Sequence, residues 1–513
     1  MRMGLSAVAL LIVAGCGAFD KIGDRDVGST LPPSVGTSTA PVSTVSAEPL
    51  DVSTTVPPAS SGQVDQSELP FDLPTTTRLR GSPRLVFAHY FTPYPISLDN
   101  RPAKEDYYTL QYLRPEGESG KYAAVGGLLR DRPIARSPLN GDWRLEDLKT
   151  EVRRAIAAGL DGFTVDLLSL TGYNWEQVNL LTKAAQQVDP KFKIVLMPDM
   201  ATLDDNAETL AKAVESLASS KSVYRLADGR VVVAPFKAEA RSAQWWVSWI
   251  ARMRSSYGIR VAFVPCFLDW RANATSFASF SYGFANWGDR SPASNATISQ
   301  DIEDAHALVK IWMQPVSAQD SRPNQGVYDE ANNTENLRVT WDAAIKGADW
   351  VQMMTWNDYS EGTQISPSRD TGWAFLDISS YYLIRFKTGS SPPIIRDSIY
   401  VTHRVQMADA VPSHQPQLMT LRKGSSPARD NVEVITFLKS PATVLVTIGG
   451  QKYAYNAPAG MNIRLFPLAV GVVSVSASRF GASIAAVVSP HRVNSKPYVQ
   501  DLEYYSIGSR RHS

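Results

Sequence analysis

Residues 350–367 read WVQMMTWNDYSEGTQISP, an apolar run from Trp350 to Thr355 that empties into a polar turn carrying Asn357, Asp358 and Glu361. A short apolar run bounded by turn residues is a buried strand, and the strand aims the turn. Seven runs of the same kind precede the strand at 350–356, at 84–90, 162–167, 193–198, 230–235, 260–266, 282–286 and 310–315. Helical patterns separate them, among them LEDLKTEVRRAIAAG (145–159), NAETLAKAVESLA (206–218) and ENLRVTWDAAIKGA (335–348). Strand and helix alternating eight times predict an α/β fold, a (β/α)8 barrel over residues 81–391.

Barrel enzymes work at the C-terminal ends of their strands. At those ends stand His89 and Tyr90, Asp166, Asp199, Lys237, Trp270, Trp287, Gln314 and the turn with Trp356, Asn357, Asp358, Tyr359 and Glu361. Singly, each is an ordinary loop residue or core hydrogen-bonder; together they describe a polar mouth on an apolar barrel, where substrate contacts are expected. Two carboxyls three residues apart also suit a solvated, capped turn. With an aromatic wall from Trp356 and Tyr359 they match the needs of glycosidic hydrolysis, in which one carboxyl protonates the departing oxygen and the other activates water. Glu361, deeper in the turn, is the expected acid and Asp358 the expected base, although the pair could be exchanged.

Composition narrows the partners. The net charge is +1 over 513 residues, which implies no nucleic-acid partner, and twelve Trp with twenty Tyr suit stacking on sugar rings. No His/Cys cluster, phosphate loop or G-x-S-x-G is present in the barrel, so neither a metal nor any other cofactor is expected. Residues 1–16, MRMGLSAVALLIVAGC, have a basic start, an apolar core and small residues before Cys16. That is the pattern of a bacterial lipoprotein signal, with Cys16 lipidated and the protein held on the outer face of the cytoplasmic membrane. Residues 17–80 are rich in Ser, Thr and Pro and read as a disordered tether. The second cysteine, Cys266, lies in an apolar run and reads as an inert core thiol without a disulfide partner. From 392 to 513 short strands follow one another, with Gly449-Gly450 as a hairpin signal, predicting an antiparallel β-sandwich that supports a monomeric enzyme.

The run T-W-N-D-Y-x-E after an apolar strand resembles the signature of glycoside hydrolase family 71, the endo-α-1,3-glucanases or mutanases, and of the related family 99 endo-α-mannosidases. FAHYF at the first strand and GLDGF (159–163) at the second also match. The resemblance implies a glycosidase cutting within an α-linked polysaccharide, with Asp358 and Glu361 as the catalytic pair and Asp161 or Asp166 as a supporting carboxylate. Strand geometry favours Asp166, which sits at the end facing the site. Two departures stand out: Ser360 and Gly362-Thr363 replace the usual Gly and Ser of the family, and an insertion, 92–144, with Tyr107, Tyr108, Tyr112 and Trp143, is expected to shape the subsites. The alternatives are an endo-α-mannosidase-like hydrolase of another wall polysaccharide and a non-catalytic carbohydrate-binding lipoprotein. If the leader reading holds, Cys16→Ala releases the protein from the membrane fraction or leaves it unprocessed; a variant still extracted only by detergent after normal processing contradicts it.

Overall fold

The computed structural model describes residues 68–511, so the leader, Cys16 and most of the tether lie outside the described residues. The apolar runs become β1 (Leu85–Tyr90), β2 (Gly162–Leu167), β3 (Lys193–Pro198), β4 (Val231–Val233), β5 (Val261–Phe263), β6 (Cys266–Phe267), β7 (Gly283–Asn286) and β8 (Ile311–Ser317). A hairpin, β9 (Asp320–Arg322) and β10 (Val327–Asp329), precedes β11 (Trp350–Met354). The barrel strands pair in parallel in the order β5-β4-β3-β2-β1-β11-β8-β7-β6. β5 and β6 are two halves of one strand interrupted at Val264 and Pro265. Cys266 N donates to Pro235 O and Ala285 N to Pro265 O, both at 2.9 Å, so this strand bridges the two ends and closes the sheet into the expected barrel.

Side chains alternate along each strand, and this period of two decides what reaches the site. Leu85, Phe87, Met197, Val232, Met313, Trp350 and Met354 fill the barrel interior. Their neighbours Val86, Ala88, Tyr90, Phe163, Val165 and Val351 face the surrounding helices. Those helices begin where short polar side chains satisfy the first free N–H groups: Asp142 caps the helix Trp143–Ala157, Asn206 caps Ala207–Ala218, and Ser242 caps Ala243–Tyr257.

The C-terminal part is a β-sandwich. β12 (Ser398–His403), β14 (Asn431–Leu438), β17 (Gly460–Pro467) and β20 (Tyr505–Gly508) form one antiparallel sheet. β15 (Ala442–Ile448), β16 (Gln451–Ala457), β18 (Val473–Arg479) and β19 (Ala482–Val488) form the other. Val401 and Val434 pack against Val444, Val446 and Val475 between the sheets. The opposite face of the first sheet presents Tyr400, Ile435 and Phe437 to the barrel, where the Phe437 ring meets Tyr381 at 5.3 Å. Within the 392–513 span expected to build the sandwich, the run QPQLMTL at 415–421 departs from it: only β13 (Thr420–Leu421) is extended, and it pairs with β10 above the barrel mouth. Its buried apolar side chain, Met419, packs with Tyr328 of β10 and Leu502 rather than between the sheets.

The junction between the two parts buries a group of carboxyls, Asp131, Asp370, Asp501 and Glu503. Gln364 Nε2 bridges Asp131 and Glu503 at 3.1 and 3.2 Å. Burial, and then Asp370, pushes Asp131 up to about 7; burial, then Asp501 and Asp131, holds Glu503 well above its ordinary range. Folded values above unfolded ones mean that the stability these groups confer is complete in acid and is lost as pH rises through the folded values. Buried His89 and His403, lowered by burial to about 3 and about 4, work in the opposite sense, below the ordinary imidazole range. The melting temperature is therefore expected to fall as pH rises from about 6.5, above which the histidines no longer oppose, through about 7, where Asp131 ionises. Asp131→Asn should flatten that slope; a melting temperature that rises across the window contradicts the assignment.

Candidate active site

Beyond β11 the chain makes a tight turn whose backbone is fixed at several points. Trp356 N donates to His89 O at 2.7 Å, Thr355 N to Thr363 O at 2.9 Å, and Ser321 N to Glu361 O at 2.7 Å. The Asn357 side chain clasps the segment after β1, accepting from Phe91 N at 2.8 Å and donating to Phe91 O and Tyr94 O at 2.9 and 2.8 Å. Gly362 has φ +62°, and a Cβ there would meet Glu503 Oε1 at 2.8 Å, so the turn requires glycine where it touches the C-terminal part.

The turn and the strand ends enclose a cavity of about 250 Å³ at the C-terminal mouth of the barrel, lined by His89, Asp166, Asp199, Trp287, Asp358 and Glu361. A wider cleft of about 1170 Å³ opens at the N-terminal end of β3, but its one carboxylate, Asp189, is bound to Arg80 at 2.7 Å. Only the smaller cavity holds carboxyls in the arrangement that proton transfer needs.

Its electrostatics follow from burial. Glu361 Oε1 lies 2.6 Å from Arg322 Nη1, yet burial pushes this carboxyl up to about 8, with Arg322 opposing and Asp358 and Asp320 adding. The Arg322 charge is already engaged: its Nε and Nη2 hold Asp320 at 2.8, 2.9 and 2.5 Å. Glu361 Oε2 is buried without a partner among the described residues, the oxygen left to carry a proton. Asp358 is raised by burial but stabilised as an anion by Ser360, whose N and Oγ donate to Oδ1 at 3.0 and 2.6 Å. Asp166 is held well above its ordinary range by burial and then by Asp199 and Asp358, and its Oδ2 stands 3.9 Å from His89 Nε2. Burial, reinforced by Arg290, keeps His89 neutral.

Not every expected contact faces this cavity. Tyr90 points into the helix layer with its ring 5.3 Å from Phe163, because it is one position out of phase with His89. Gln314 is out of phase in the same way on β8; its Oε1 accepts from Trp312 Nε1 at 2.8 Å. Trp356 packs on Phe163 at 5.1 Å and donates its indole N–H to Glu151, and Trp270 packs on Trp312 at 4.8 Å beneath the helices. Tyr359 lies behind the turn with Tyr94, Tyr108 and Tyr112, and Asn357 is spent on the backbone. Lys237 stands beside Asp199 with φ +49°, outside the lining. The insertion is likewise corrected: Tyr108 and Tyr112 are 0% and 3% exposed and form a wall rather than a sugar platform. Sequence reading passed over Arg290, Asp320, Arg322, Asp329 and Arg422, which line the cavity. The charged pair Asp320 and Arg322, two residues apart in D-S-R, was the available signal.

A model of the family described as "Glycosyl hydrolase family 71" matches residues 139–507. The chain belongs to glycosyl hydrolase family 71. Its relatives include the glucan endo-1,3-alpha-glucosidase agn1 of Schizosaccharomyces pombe, 24% identical over 69% of this chain and 88% of its own length. A Penicillium rubens mutanase is 25% identical over 67% of this chain and 80% of its own. Among solved structures, the GH99 endo-alpha-mannosidase of Bacteroides thetaiotaomicron is similar over 59% of this chain and 97% of its own, at 16% identity and a TM-score of 0.44. As a family 71 member the protein is a glycoside hydrolase, and its buried carboxyls can be tested directly. Arg322→Met removes the cation shared by Asp320 and Glu361 and leaves Asp320 only Arg422, at 3.6 Å. Followed by carboxyl NMR, Glu361 should then titrate higher than in the parent, with stability lowered by about 3–5 kcal/mol; a lower titration point contradicts the electrostatic account.

Proposed function

We propose that this protein hydrolyses an α-linked glucan, α-1,3-glucan foremost, at internal bonds, with Asp358 and Glu361 as the acid–base pair. The linkage rests on relatives named endo-1,3-alpha-glucosidase, endo-1,3-alpha-glucanase and mutanase. The observation that carries the reading is a pair of carboxyls three residues apart in one cavity, in contrasting surroundings: Glu361 Oε2 is unpaired, whereas Asp358 is held by Ser360.

A glycosidic oxygen leaves poorly unless it is protonated as the bond breaks. Glu361, raised to about 8, keeps its proton at neutral pH and delivers it from Oε2 to that oxygen. Asp358 takes a proton from the water, or meets the developing positive charge at the sugar carbon. The bond between that carbon and the departing oxygen breaks, and the water oxygen ends on the carbon. Asp166, protonated and beside neutral His89, donates a hydrogen bond to the sugar without adding a third negative charge. His89, Asp199 and Trp287 complete the contacts.

We also infer that lipid at Cys16 tethers the enzyme to the outer face of the cytoplasmic membrane, supported by the apolar leader and the Ser/Thr/Pro-rich stretch after it. A monomer suffices, because one chain supplies the whole cavity lining.

Asp358→Asn and Glu361→Gln preserve shape but remove proton transfer, and each is expected to lower turnover by about 10²–10⁴-fold. Hydrolysis by the parent should fall as pH rises through about 8, where Glu361 loses its proton. Near-parental hydrolysis by both variants moves the chemistry elsewhere in the cavity.

A further inference from the structure

Arg290 is the cation of the cavity that no acid–base step employs. It is 2% exposed, and its Nη1 is fixed by Trp287 O at 2.9 Å and Gly288 O at 2.8 Å. Those two bonds orient the guanidinium and leave its other edge idle: Nε and Nη2 are buried without a hydrogen-bond partner among the described residues. Arg322 and Arg422 are different, since each is bound to a carboxylate, Asp320 and Asp329. A desolvated guanidinium with two parallel N–H groups unspent is a site waiting for acceptors, because folded proteins pair nearly all such groups.

Its surroundings say which acceptors. Arg290 lies over the face of the half-buried Trp287, 5.6 Å from the ring centroid, and Trp287 in turn meets Phe236 at 4.6 Å and His89 at 5.0 Å. An aromatic face beside a fork of donors suits a sugar, whose C–H surface stacks on the ring while its oxygens accept. The cavity lining carries seven carboxyls against three guanidiniums, so an anionic sugar is disfavoured and a neutral one fits.

We propose that Arg290 is a substrate-binding residue: its Nε–H and Nη2–H donate to two oxygens of a neutral sugar unit whose ring lies against Trp287. This rests on the hydrolase reading and adds a subsite to it. The fork, not the charge alone, makes the contact, because a point charge reproduces neither the planarity nor the spacing of the two donors.

The test compares parent, Arg290→Lys and Arg290→Met on soluble α-1,3-linked glucose oligosaccharides. Both variants are expected to raise KM at least tenfold with a much smaller change in kcat, since the lost contact is made before the reaction as well as during it. In an Asp358→Asn background, both should weaken oligosaccharide binding by a similar factor. Parental KM and affinity in both variants, or full recovery in Arg290→Lys, overturns the proposal while the hydrolase reading stands. A parent that hydrolyses none of these glycans overturns both. Should the variants not fold, the Asp358→Asn protein crystallised with the oligosaccharide decides: sugar oxygens within about 3.2 Å of Nε and Nη2 support the assignment, and their absence there refutes it.

Discussion

Three charged groups in a row, Asp320, Arg322 and Glu361, set the terms for the cavity. A guanidinium left alone against Glu361 at 2.6 Å would hold that carboxyl ionised and leave it nothing to donate. Asp320 prevents this by accepting from Nε and Nη2 of the same guanidinium, so that the trio carries an excess of negative charge. The second ionisation is then the costly one, and burial places it on Glu361. The same arithmetic operates at the opposite wall, where no cation offsets Asp166, and burial, then Asp199 and Asp358, hold it protonated. Charge is rationed in this cavity, and the arginines decide which carboxyls keep it.

That electrostatic arrangement depends on the C-terminal part of the chain. Asp320 and Arg322 belong to β9, an excursion from the barrel whose partner β10 is extended by β13 from the segment between β12 and β14. Arg422, just past β13, donates to Asp329 at 2.8 Å, and Glu503 sits where a Cβ on Gly362 would be. The sandwich thus does more than support the barrel. It supplies one wall of the hairpin that carries the Glu361 partner and one stop for the turn that carries Glu361 itself.

The barrel was legible because buried parallel strands are written as short apolar runs, and the sequence separates those runs with amphipathic helices. The strand limits at 162–167 and 193–198 match residue for residue. The cavity was legible only where the phase along a strand was also right. His89, Asp166 and Trp287 fall on interior positions, whereas Tyr90, Gln314 and Trp356 lie one residue away and face the helices. Strand ends are easier to locate than to phase, because one residue of register exchanges inside for outside. Arg290 and Arg322 escaped for another reason. Arg290 comes from the loop after β7 and Arg322 from the short strand β9, and only long-range contact shows that an arginine there is buried rather than solvated.

The insertion after β1 illustrates how tertiary context reassigns aromatic residues. Exposed on a rim, Tyr107, Tyr108 and Tyr112 would be natural sugar platforms, yet Tyr108 and Tyr112 pack with Tyr94 and Leu128 around Tyr359. Tyr94 meets Tyr359 edge-on at 6.3 Å, and the Tyr359 hydroxyl reaches Ser366 Oγ at 3.1 Å. Adjacent side chains in this tight turn diverge, so anchoring Tyr359 behind it holds Asp358 toward the cavity. Asn357, tied to Phe91 and Tyr94, fixes the same segment from the other side. The insertion therefore acts on the cavity from behind: it buries the aromatic ring next in the chain to the Asp358 carboxylate.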